Sequence, residues 1–494
     1  MSGLGRGSKR EHGWRRGWAL AVCLAGVGAA WAPGQQAPAR QPPAESQPTA
    51  PSPDKDKPPP VPGTQEPGSG SDVHTGTSSG LDSDARLQNL LADHQFLQIE
   101  GQIGQMPPEE AQFYKGILAN RGNDPQTSID LLLPMVDKVA ASGDTAHEKL
   151  LRKALAEDYL RLGDWGKAAA AYQTMETRLG AKLSPDEQDE LEMPVKLLPL
   201  AAQNPPMTVE PTDPFELQVE KNPLGLIDLP VYVDARPHAW MLDPTAPFNL
   251  IARSLAKEAG LTVSDASATI HTLTGKPIVV HMTVIPRFTI GGRLTLRNMT
   301  AFVFEDADYA FTRSNYQVEG ELGYAALKAL GSVTITSNDT VYVDPGKDAA
   351  PAGKTDPRRA GARFFLDGDQ VVVALGVPGD ERMYVVDAGG QQTYLTSRYF
   401  EEHQGDFAGQ KMELYRVPGS GARELAADPA YTAETVQLAV GGNTVPVHFV
   451  RVLTQPLGDA ALDDVYGVLG VDALDQLSAY TFDYATMRFS VKAE

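Results

Sequence analysis

The chain has almost no cysteine and comparatively little positive charge. Its 494 residues include one cysteine, Cys23, so an intrachain disulfide and a thiolate metal site are both excluded. Lysine and arginine number 43 against 63 aspartates and glutamates, which gives a formal net charge of −20. An acidic surface of this kind repels nucleic acid and anionic membranes, so we expect neither as a partner of the folded part.

Long apolar runs are also missing beyond the N terminus, and no later segment is apolar enough to span a bilayer. The start of the chain differs, because five basic residues precede an apolar stretch at residues 18–32. This order is typical of a secretory signal peptide, which we assign to residues 1–32. We predict export, to the periplasm, cell envelope or medium of a bacterial-type cell. An uncleaved anchor is the alternative, because Pro33 hinders cleavage after Ala32, and the leader alone would then contact a membrane.

Residues 33–83 contain mainly Pro, Ser, Gly, Gln and Thr, with hardly any large apolar side chain. Such a segment buries too little surface to offset its ordering entropy. We therefore predict a disordered linker, which acts as a spacer between the leader and the folded part.

Residues 84–203 show helical periodicity and predict a small all-α helical-repeat domain. Residues 154–168 resemble a tetratricopeptide repeat, in which small residues let two helices approach and Gly163-Asp164 turns the chain. Residues 112–124 are a looser copy, whose glycine lies 41 residues earlier. Two interpretations stay open: a groove that binds a protein partner, and a short helical domain that only packs against its neighbour. The N-terminal position also leaves open an inhibitory propeptide at residues 33–210.

Beyond residue 205 the composition becomes rich in Val, Ile, Thr, Phe and Tyr in short runs separated by glycine, which is typical of β-strands. The clearest runs are residues 231–242, 278–290, 294–304 and 333–343. Helix-like pieces occur at residues 250–259 and 397–403. We predict two mostly antiparallel β lobes, residues 211–343 and 363–494, joined by one exposed linker at residues 344–362.

The β-rich part contains a weak internal repeat, in which two segments about 145 residues apart carry the same marks in the same order. Each has an aspartate after an apolar run, then a glycine turn, a Gly-Gly pair and a Gly-x-Leu-Gly sequence. The marks are Asp243, Gly275, Gly291-Gly292 and Gly320 to Gly323 in the first copy, and Asp387, Gly419, Gly441-Gly442 and Gly467 to Gly470 in the second. From the aspartate onward the spacings are 32, 48 and 77 residues against 32, 54 and 80, so we interpret the copies as two halves of one site.

This order of marks resembles the aspartic peptidases of the retropepsin-like and pepsin-like class. The resemblance covers residues 215–494 and implies a mainly-β bilobal domain of two six-stranded barrels. It further implies that Asp243 and Asp387 form the catalytic pair within one chain. Paired carboxylates share one proton, so one activates a water while the other protonates the peptide carbonyl. Flaps tipped by Gly275 and Gly419 would cover a peptide bound as an extended strand, and no cofactor is implied.

Both aspartate turns depart from the Asp-Thr-Gly or Asp-Ser-Gly sequence of that class. The second reads Asp387-Ala388-Gly389 and lacks the hydroxyl that braces the two turns. In the first, Pro244 has no N–H, and Thr245 is β-branched where glycine is expected. We therefore expect weakened support for the pair, and Asp243 in a simple Asp-Pro turn is the alternative. Two functions stay open: an exported aspartic endopeptidase, and an inactive peptide- or protein-binding module with a helical-repeat scaffold.

Other chemistry has little support in the sequence. The nine histidines are scattered, with no His-x-x-x-His pair suited to zinc. The Gly-Gly pairs are expected in hairpins and open no helix, so they are not phosphate loops. We expect neither a metal nor a cofactor.

Overall fold

The structure is a computed structural model that describes residues 19–20, 78–272, 277–311, 314–346, 361–368, 370–390, 392–416, 428–457 and 460–492. The proposed flap tips Gly275 and Gly419 lie outside the described residues, as do most of the predicted leader and linker. The described residues from Leu87 onward belong, with residues 19–20, to one compact unit, and residues 78–86 belong to another. Within the described residues, no helix combines the length and apolarity needed to cross a membrane.

Among the described residues, eight α-helices lie between residues 78 and 201, and a two-residue strand, β1 (Ala19–Leu20), precedes them. They are α1 (Ser78–Ala92), α2 (Phe96–Gln102), α3 (Pro108–Arg121), α4 (Pro125–Leu132), α5 (Val136–Ser142), α6 (Thr145–Arg161), α7 (Trp165–Leu179) and α8 (Pro185–Ala201). Helix α1 begins at Ser78, inside the segment predicted to be a disordered linker, so that prediction was too long at its C-terminal end.

Two helix–turn–helix units, α3–α4 and α6–α7, occur where the sequence suggested repeated turns. In each unit an aspartate caps the second helix, because the side chains of Asp124 and Asp164 accept hydrogen bonds from the N–H groups of Thr127 and Lys167. The helical region is therefore confirmed, while its relation to tetratricopeptide repeats stays a prediction.

The strands and short helices that follow form the two lobes. The first contains β2 (Thr208–Glu210), β3 (Phe215–Gln218), β4 (Glu220–Lys221), β5 (Ile227–Val233), β6 (Arg236–Leu242), β7 (Leu250–Ala252), α9 (Arg253–Glu258), β8 (Ser267–Thr272), β9 (Pro277–Ile290), β10 (Leu294–Phe304), β11 (Ala310–Phe311), β12 (Tyr316–Gln317), β13 (Gly320–Leu322), α10 (Tyr324–Leu330), β14 (Ser332–Thr336) and β15 (Thr340–Asp344). The second contains β16 (Ala362–Asp367), β17 (Gln370–Leu375), β18 (Arg382–Val386), β19 (Tyr394–Leu395), α11 (Ser397–His403), β20 (Glu413–Tyr415), β21 (Asp428–Val440), β22 (Asn443–Leu453), α12 (Ala460–Asp463), β23 (Gly467–Leu469), α13 (Val471–Leu474), β24 (Ala479–Asp483) and β25 (Arg488–Lys492).

Each lobe is built on six strands in the same spatial order. In the first lobe the order is β5–β6–β13–β7–β10–β9, and β9 pairs with β5 to close a barrel. In the second lobe the equivalent order is β17–β18–β23–β19–β22–β21, and the N–H of Gly376 donates to the carbonyl of Ala439 across the closing edge. In both lobes the strand before the aspartate runs parallel to the strand of the Gly-x-Leu-Gly sequence. The internal repeat therefore corresponds to two structurally equivalent lobes.

A shared sheet also connects the lobes, so the prediction of two lobes joined by one loop was incomplete. Its strand order is β3–β15–β14–β24–β25–β16. The first three strands come from the first lobe and the last three from the second, so the sheet has the same arrangement on both sides of its centre. Strands β14 and β24 are antiparallel, and the central residue pair is Thr334 and Thr481, whose hydroxyl oxygens lie 2.7 Å apart. Sequence periodicity could not reveal this sheet, because it pairs residues nearly 150 positions apart.

Several predicted elements have different boundaries in the structure. The runs at residues 231–242 and 333–343 are not single strands but hairpins, and Asp234 and Ala235 turn the first one with positive φ angles. The predicted helix at residues 250–259 begins with a strand, because residues 250–252 pair with β10. The strand at Leu294–Phe304 and the helix at Ser397–His403 are confirmed. Both Gly-Gly pairs end hairpins with positive φ, as predicted.

The helical region packs against both lobes. Helix α8 contributes Met193 and Leu197 to the same buried core as the strands of the first lobe. At the start of α2, the ring of Phe96 lies 4.9 Å from that of Phe365 in the second lobe, measured between centroids. Because these side chains are buried, the helices form part of the folded body to which the lobes belong.

A buried ionic network joins the helices to the second lobe. The carboxylate of Asp367, at the end of β16, lies 2.9 Å from His94 Nδ1 and 3.0 Å from Arg121 Nε. Arg121 also contacts Glu157 at 3.2 Å, and all four side chains are less than 5% exposed. Charges this far from water depend on their partners, because an unpaired buried ion has a high desolvation cost.

We expect Asp367→Ala to lower the free energy of unfolding by about 3–5 kcal/mol, because it leaves Arg121 and His94 without their shared carboxylate. Urea denaturation of the purified protein measures this change. The control is Glu109→Ala, which breaks an ion pair with Lys138 in which both side chains are more than half exposed, and should cost less than about 1 kcal/mol. Equal losses in the two variants would contradict a structural role for the buried network.

Candidate active site

Asp243 lies directly after β6 at a position with no exposure to solvent. Its Oδ1 accepts hydrogen bonds from the backbone N–H of Thr245 at 2.8 Å and from the Thr245 hydroxyl at 2.5 Å. Pro244 has no N–H, but the donor used here belongs to the following residue. The expectation that Pro244 and Thr245 weaken the support of Asp243 was therefore wrong for this oxygen, because Thr245 supplies two donors.

Asp387 occupies the equivalent position after β18 and is 7% exposed. Its backbone N–H donates to the carbonyl of Leu469 on β23, at 2.9 Å, and its own carbonyl accepts from the N–H of Gly390 at 3.1 Å. A Cβ atom at Gly390 would lie only 2.3 Å from Asp387 Oδ2, so this turn requires glycine there. Gly390 therefore supports this turn together with Ala388 and Gly389, which the sequence pattern predicts as its supporting residues, and that pattern did not single out Gly390.

The Gly-x-Leu-Gly sequences pack against the loops that follow the aspartates. A Cβ atom at Gly323 would lie 1.9 Å from the carbonyl carbon of Phe248, which leaves room only for hydrogen. The N–H of Gly323 donates to Asn249 Oδ1 at 2.9 Å, and the N–H of Gly470 donates to Thr393 Oγ1 at 2.8 Å. Asn249 and Thr393 immediately precede β7 and β19, so they are equivalent supports that sequence reasoning missed.

One side chain of the second lobe braces the first aspartate turn. The hydroxyl of Tyr484, after β24, donates a hydrogen bond to the carbonyl of Pro244. Tyr484 is 3% exposed and its ring packs near Phe364 and Phe482. Ala388 has no hydroxyl with which to brace the first turn across the lobes. Tyr484, from another part of the second lobe, makes such a contact instead.

The two aspartates act on each other electrostatically. Burial raises the pKa of Asp243 to about 7, and the negative charge of Asp387 contributes in the same direction, while the hydrogen bonds from Thr245 oppose the shift. Asp243 does lie in an Asp-Pro turn, in which its carbonyl accepts from the N–H of Ala246 at 3.1 Å, but the aspartate is fully buried and senses the charge of Asp387. Asp243 can therefore keep its proton up to near-neutral pH beside the charge of Asp387, and a carboxyl group that is protonated near pH 7 can serve in general acid–base chemistry.

A third carboxyl group, Glu321, belongs to the same region and was missed. Burial raises its pKa well above the ordinary value, and the charges of Asp243 and Asp387 raise it further. The side chain is completely buried. The signal in the sequence was its place as the second residue of Gly320-Glu321-Leu322-Gly323, where the second copy has Val468.

The hairpins proposed as flaps are described except at their tips. Strands β8 and β9 are antiparallel up to the pair His271 and Pro277, and strands β20 and β21 are antiparallel from the pair Tyr415 and Asp428. The hydroxyl of Tyr415 donates to the side-chain oxygen of Gln392, at 2.6 Å, close to the loop of Asp387. The second hairpin is thus linked to the second aspartate loop.

A cavity of about 680 Å³ borders the first aspartate loop and is lined by the helical region and by both lobes. Pro244 and Thr245 line it together with Leu160 and Trp165 of the helices, but neither aspartate does. This cavity is therefore not the site at which a substrate would meet the two carboxyl groups.

Comparison with known proteins agrees with the resemblance in the β-rich part. Residues 229–326 match the family model described as aspartyl protease, which spans β5 to the start of α10 and includes Asp243 and Glu321. No curated protein matches the chain. A similar solved structure is that of basic 7S globulin from soybean, with 10% identity and a TM-score of 0.37, covering 57% of this chain and 96% of that chain. The family match supports an aspartic-protease-like domain.

We expect Thr245→Val to raise the pKa of Asp243 further above its present value of about 7, because the lost hydroxyl donor stabilises the ionised form. A hydrogen bond to a charged group contributes about 1.5–3 kcal/mol, which corresponds to about one to two pH units. Carbon-13 NMR of labelled aspartate carboxyls measures the pKa, with the signal assigned by its loss in Asp243→Asn. Thr334→Val, which removes a hydroxyl from the shared sheet, is the control and should leave this pKa unchanged. An unchanged or lower pKa in Thr245→Val would show that the hydroxyl does not support Asp243.

Proposed function

We propose that this protein is an exported aspartic endopeptidase that hydrolyses peptide bonds with Asp243 and Asp387. The observation that carries the proposal is the burial of two mutually interacting aspartates at equivalent turns of two equivalent lobes. Burying one isolated carboxylate has a high free-energy cost, and burying two that repel each other costs more. Such an arrangement is typical of sites where the shared proton is used.

The two carboxyl groups have different chemical roles in the proposed reaction. Asp243 is the more deeply buried and holds its proton up to about pH 7, so we assign it as the acid and Asp387 as the base. Asp387 takes a proton from a bound water as the water oxygen attacks the carbonyl carbon, and Asp243 gives its proton to the carbonyl oxygen. Collapse of the tetrahedral intermediate breaks the C–N bond, and the proton on Asp387 passes to the leaving amine while Asp243 regains its own.

The substrate in this proposal is a polypeptide in an extended conformation. The hairpins β8–β9 and β20–β21 occupy equivalent places after the two aspartates. Among the described residues β20 ends its sheet and offers an edge to main-chain groups of a peptide, whereas β8 is paired with β1 on its outer side. Main-chain hydrogen bonds then hold the peptide as an added strand. Gly275 and Gly419 keep their proposed role as the tips of these hairpins.

The helical region is proposed as a permanent part of the enzyme, not as a removable inhibitory propeptide. Its removal would take both His94 and Arg121 away from the buried carboxylate of Asp367 and would expose the core face under α8. We expect a partner protein, where one binds, to use the outer faces of these helices.

The competing function is peptide binding without cleavage, and one observation favours it. Ala388 has no hydroxyl to brace the second turn, and Pro244 replaces the hydroxyl residue of the first. A cleft that keeps its shape but has lost this bracing would still bind an extended peptide.

The test is cleavage of a diverse peptide library by the purified protein between pH 3 and 8. Asp243→Asn and Asp387→Asn should each lower the rate by at least about a hundredfold, because positioned acid–base groups contribute factors of this size. The rate should also fall above about pH 7, where Asp243 loses the proton that it donates. Asp234→Asn, at the exposed turn of the same β5–β6 hairpin, is the matched control and should keep full activity.

A folded protein that binds peptides but cleaves none at any pH would replace this proposal by the binding module. Cleavage that survives both aspartate substitutions would place the chemistry elsewhere in the chain.

A further inference from the structure

Glu321 lies in the centre of the first lobe, on strand β13, and none of its surface is exposed. The strand lies between β6 and β7, and the Cα partners of Glu321 are Met241 and Leu250. The equivalent residue of the second lobe is Val468, which lies between β18 and β19 in the same way. The repeat therefore has an apolar side chain in one lobe and a carboxyl group in the other.

The direction of the Glu321 side chain follows from the strand register. Its neighbour Gly320 faces the ring of Trp240, since a Cβ atom there would lie 2.3 Å from that ring. Successive residues of a strand point to opposite faces, so Glu321 points away from Trp240 and shares a face with Met241. Asp243 follows Met241 by two residues and lies on that same side.

The groups that face Glu321 are acidic or neutral. Burial raises the pKa of Glu321 well above the ordinary value. The negative charges of Asp243, which follows β6, and of Asp387, which follows β18, raise this pKa further. The buried Tyr309, from the 3-10 turn Asp306–Tyr309, also senses its charge, and β7 brings the apolar Leu250. Among the described residues, no Lys, Arg or His acts on the pKa of Glu321.

The polar atoms around this group are unsatisfied within the part of the chain that the structure describes. Both carboxyl oxygens of Glu321 are buried without a hydrogen-bond partner there, and so are Asp243 Oδ2 and the hydroxyl of Tyr309. Unsatisfied polar atoms in a core are costly, and they occur where chemistry uses them. An apolar residue, as at Val468, would remove this cost.

We propose that Glu321 is a proton-holding residue of the active site, which stays neutral beside Asp243 and Asp387 and whose ionisation adds a second alkaline limit beyond the loss of the Asp243 proton. A neutral carboxyl group has one O–H donor and retains acceptor capacity, whereas the ionised form would add a third negative charge to a buried region. Glu321 thus acts as a positioning residue on the Asp243 side of the pair. Its link to catalysis rests on the proposed function, but its protonation state does not.

The sign of the pH dependence follows from the raised pKa. The folded protein keeps a proton on Glu321 that the unfolded chain loses at the ordinary pKa of glutamate, so stability is highest at low pH and falls as the pH rises toward the folded pKa. One such proton changes the unfolding equilibrium by about tenfold per pH unit. Asp243 contributes in the same direction only up to about pH 7. Above pH 7 the contribution of Asp243 ends, and comparison with a Glu321 variant separates Glu321 from the other groups that titrate there.

The experiment is urea unfolding of the full chain from pH 5 to 10, compared with Glu321→Gln, which mimics the neutral acid. We expect the wild-type unfolding constant to rise with pH above 7 and the Glu321→Gln curve to lose this rise, by about tenfold per pH unit. Glu216→Gln is the control, because Glu216 also lies on a strand but is exposed, and it should follow the wild type. If Glu321→Gln does not fold, Glu321→Val, which copies the second lobe, should lose the same slope. An unchanged slope in either folded Glu321 variant would overturn the proposal.

Peptide cleavage separates this inference from the proposed function. If both aspartates are required for cleavage, Glu321→Gln should keep the fall in rate above about pH 7 that Asp243 sets and lose a further, steeper fall at higher pH, whereas replacing a residue that only fills space would leave the whole alkaline limb unchanged. Cleavage that needs both aspartates, with unchanged limb and unfolding slope, would overturn the role of Glu321 alone. A lost slope in a protein without peptidase activity would support the protonation state of Glu321 and overturn the proposed function.

Discussion

Two acidic side chains that are buried near each other do not stabilise one another, so other parts of the structure must hold them in place. In this protein the holding structure is the six-stranded sheet to which both lobes contribute, with Thr334 and Thr481 paired at its centre. The desolvation of the two carboxyl groups, and their repulsion whenever both are ionised, would favour separation of the lobes if only a linker connected them. The sheet opposes this movement, because the lobes could separate only if the backbone hydrogen bonds between its strands broke. Tyr484 adds a direct brace to the carbonyl of Pro244, close to the first aspartate.

Close backbone approach is the second requirement, and it explains the glycines. At Gly323 and Gly470 the loop after each aspartate comes so near that a Cβ atom would collide with backbone atoms. The buried N–H groups of these two glycines also need acceptors, and the lobes supply different side chains. Asn249 accepts from the N–H of Gly323, and Thr393 accepts from the N–H of Gly470. The geometry is therefore kept while the residue types differ, and a repeat of this kind leaves only a weak trace in the sequence.

The extent to which the sequence predicts this molecule depends on how local each feature is. The aspartate turns, the Gly-Gly hairpins and the spacing of Gly320 and Gly467 are local patterns, and together they predicted two lobes and a pair of facing halves. The shared sheet, Tyr484 and the network around Asp367 join residues far apart in the chain, so no periodicity reveals them. The supports of the aspartates were also hidden, because Thr245 works through its hydroxyl and through an N–H that any residue but proline offers.

The differences between the lobes have a chemical consequence. A symmetric dimer must place the same residue on both sides of its pair, whereas one fused chain can vary each side. Here Asp243 receives two hydrogen bonds from Thr245 and lies near Glu321, while the second lobe has Gly389 and Val468 at those positions. Unequal surroundings separate the proton affinities of paired carboxyls and so assign one as acid and the other as base. A buried neutral glutamic acid that only the first lobe supplies adds to this inequality of the two lobes while it retains its own proton.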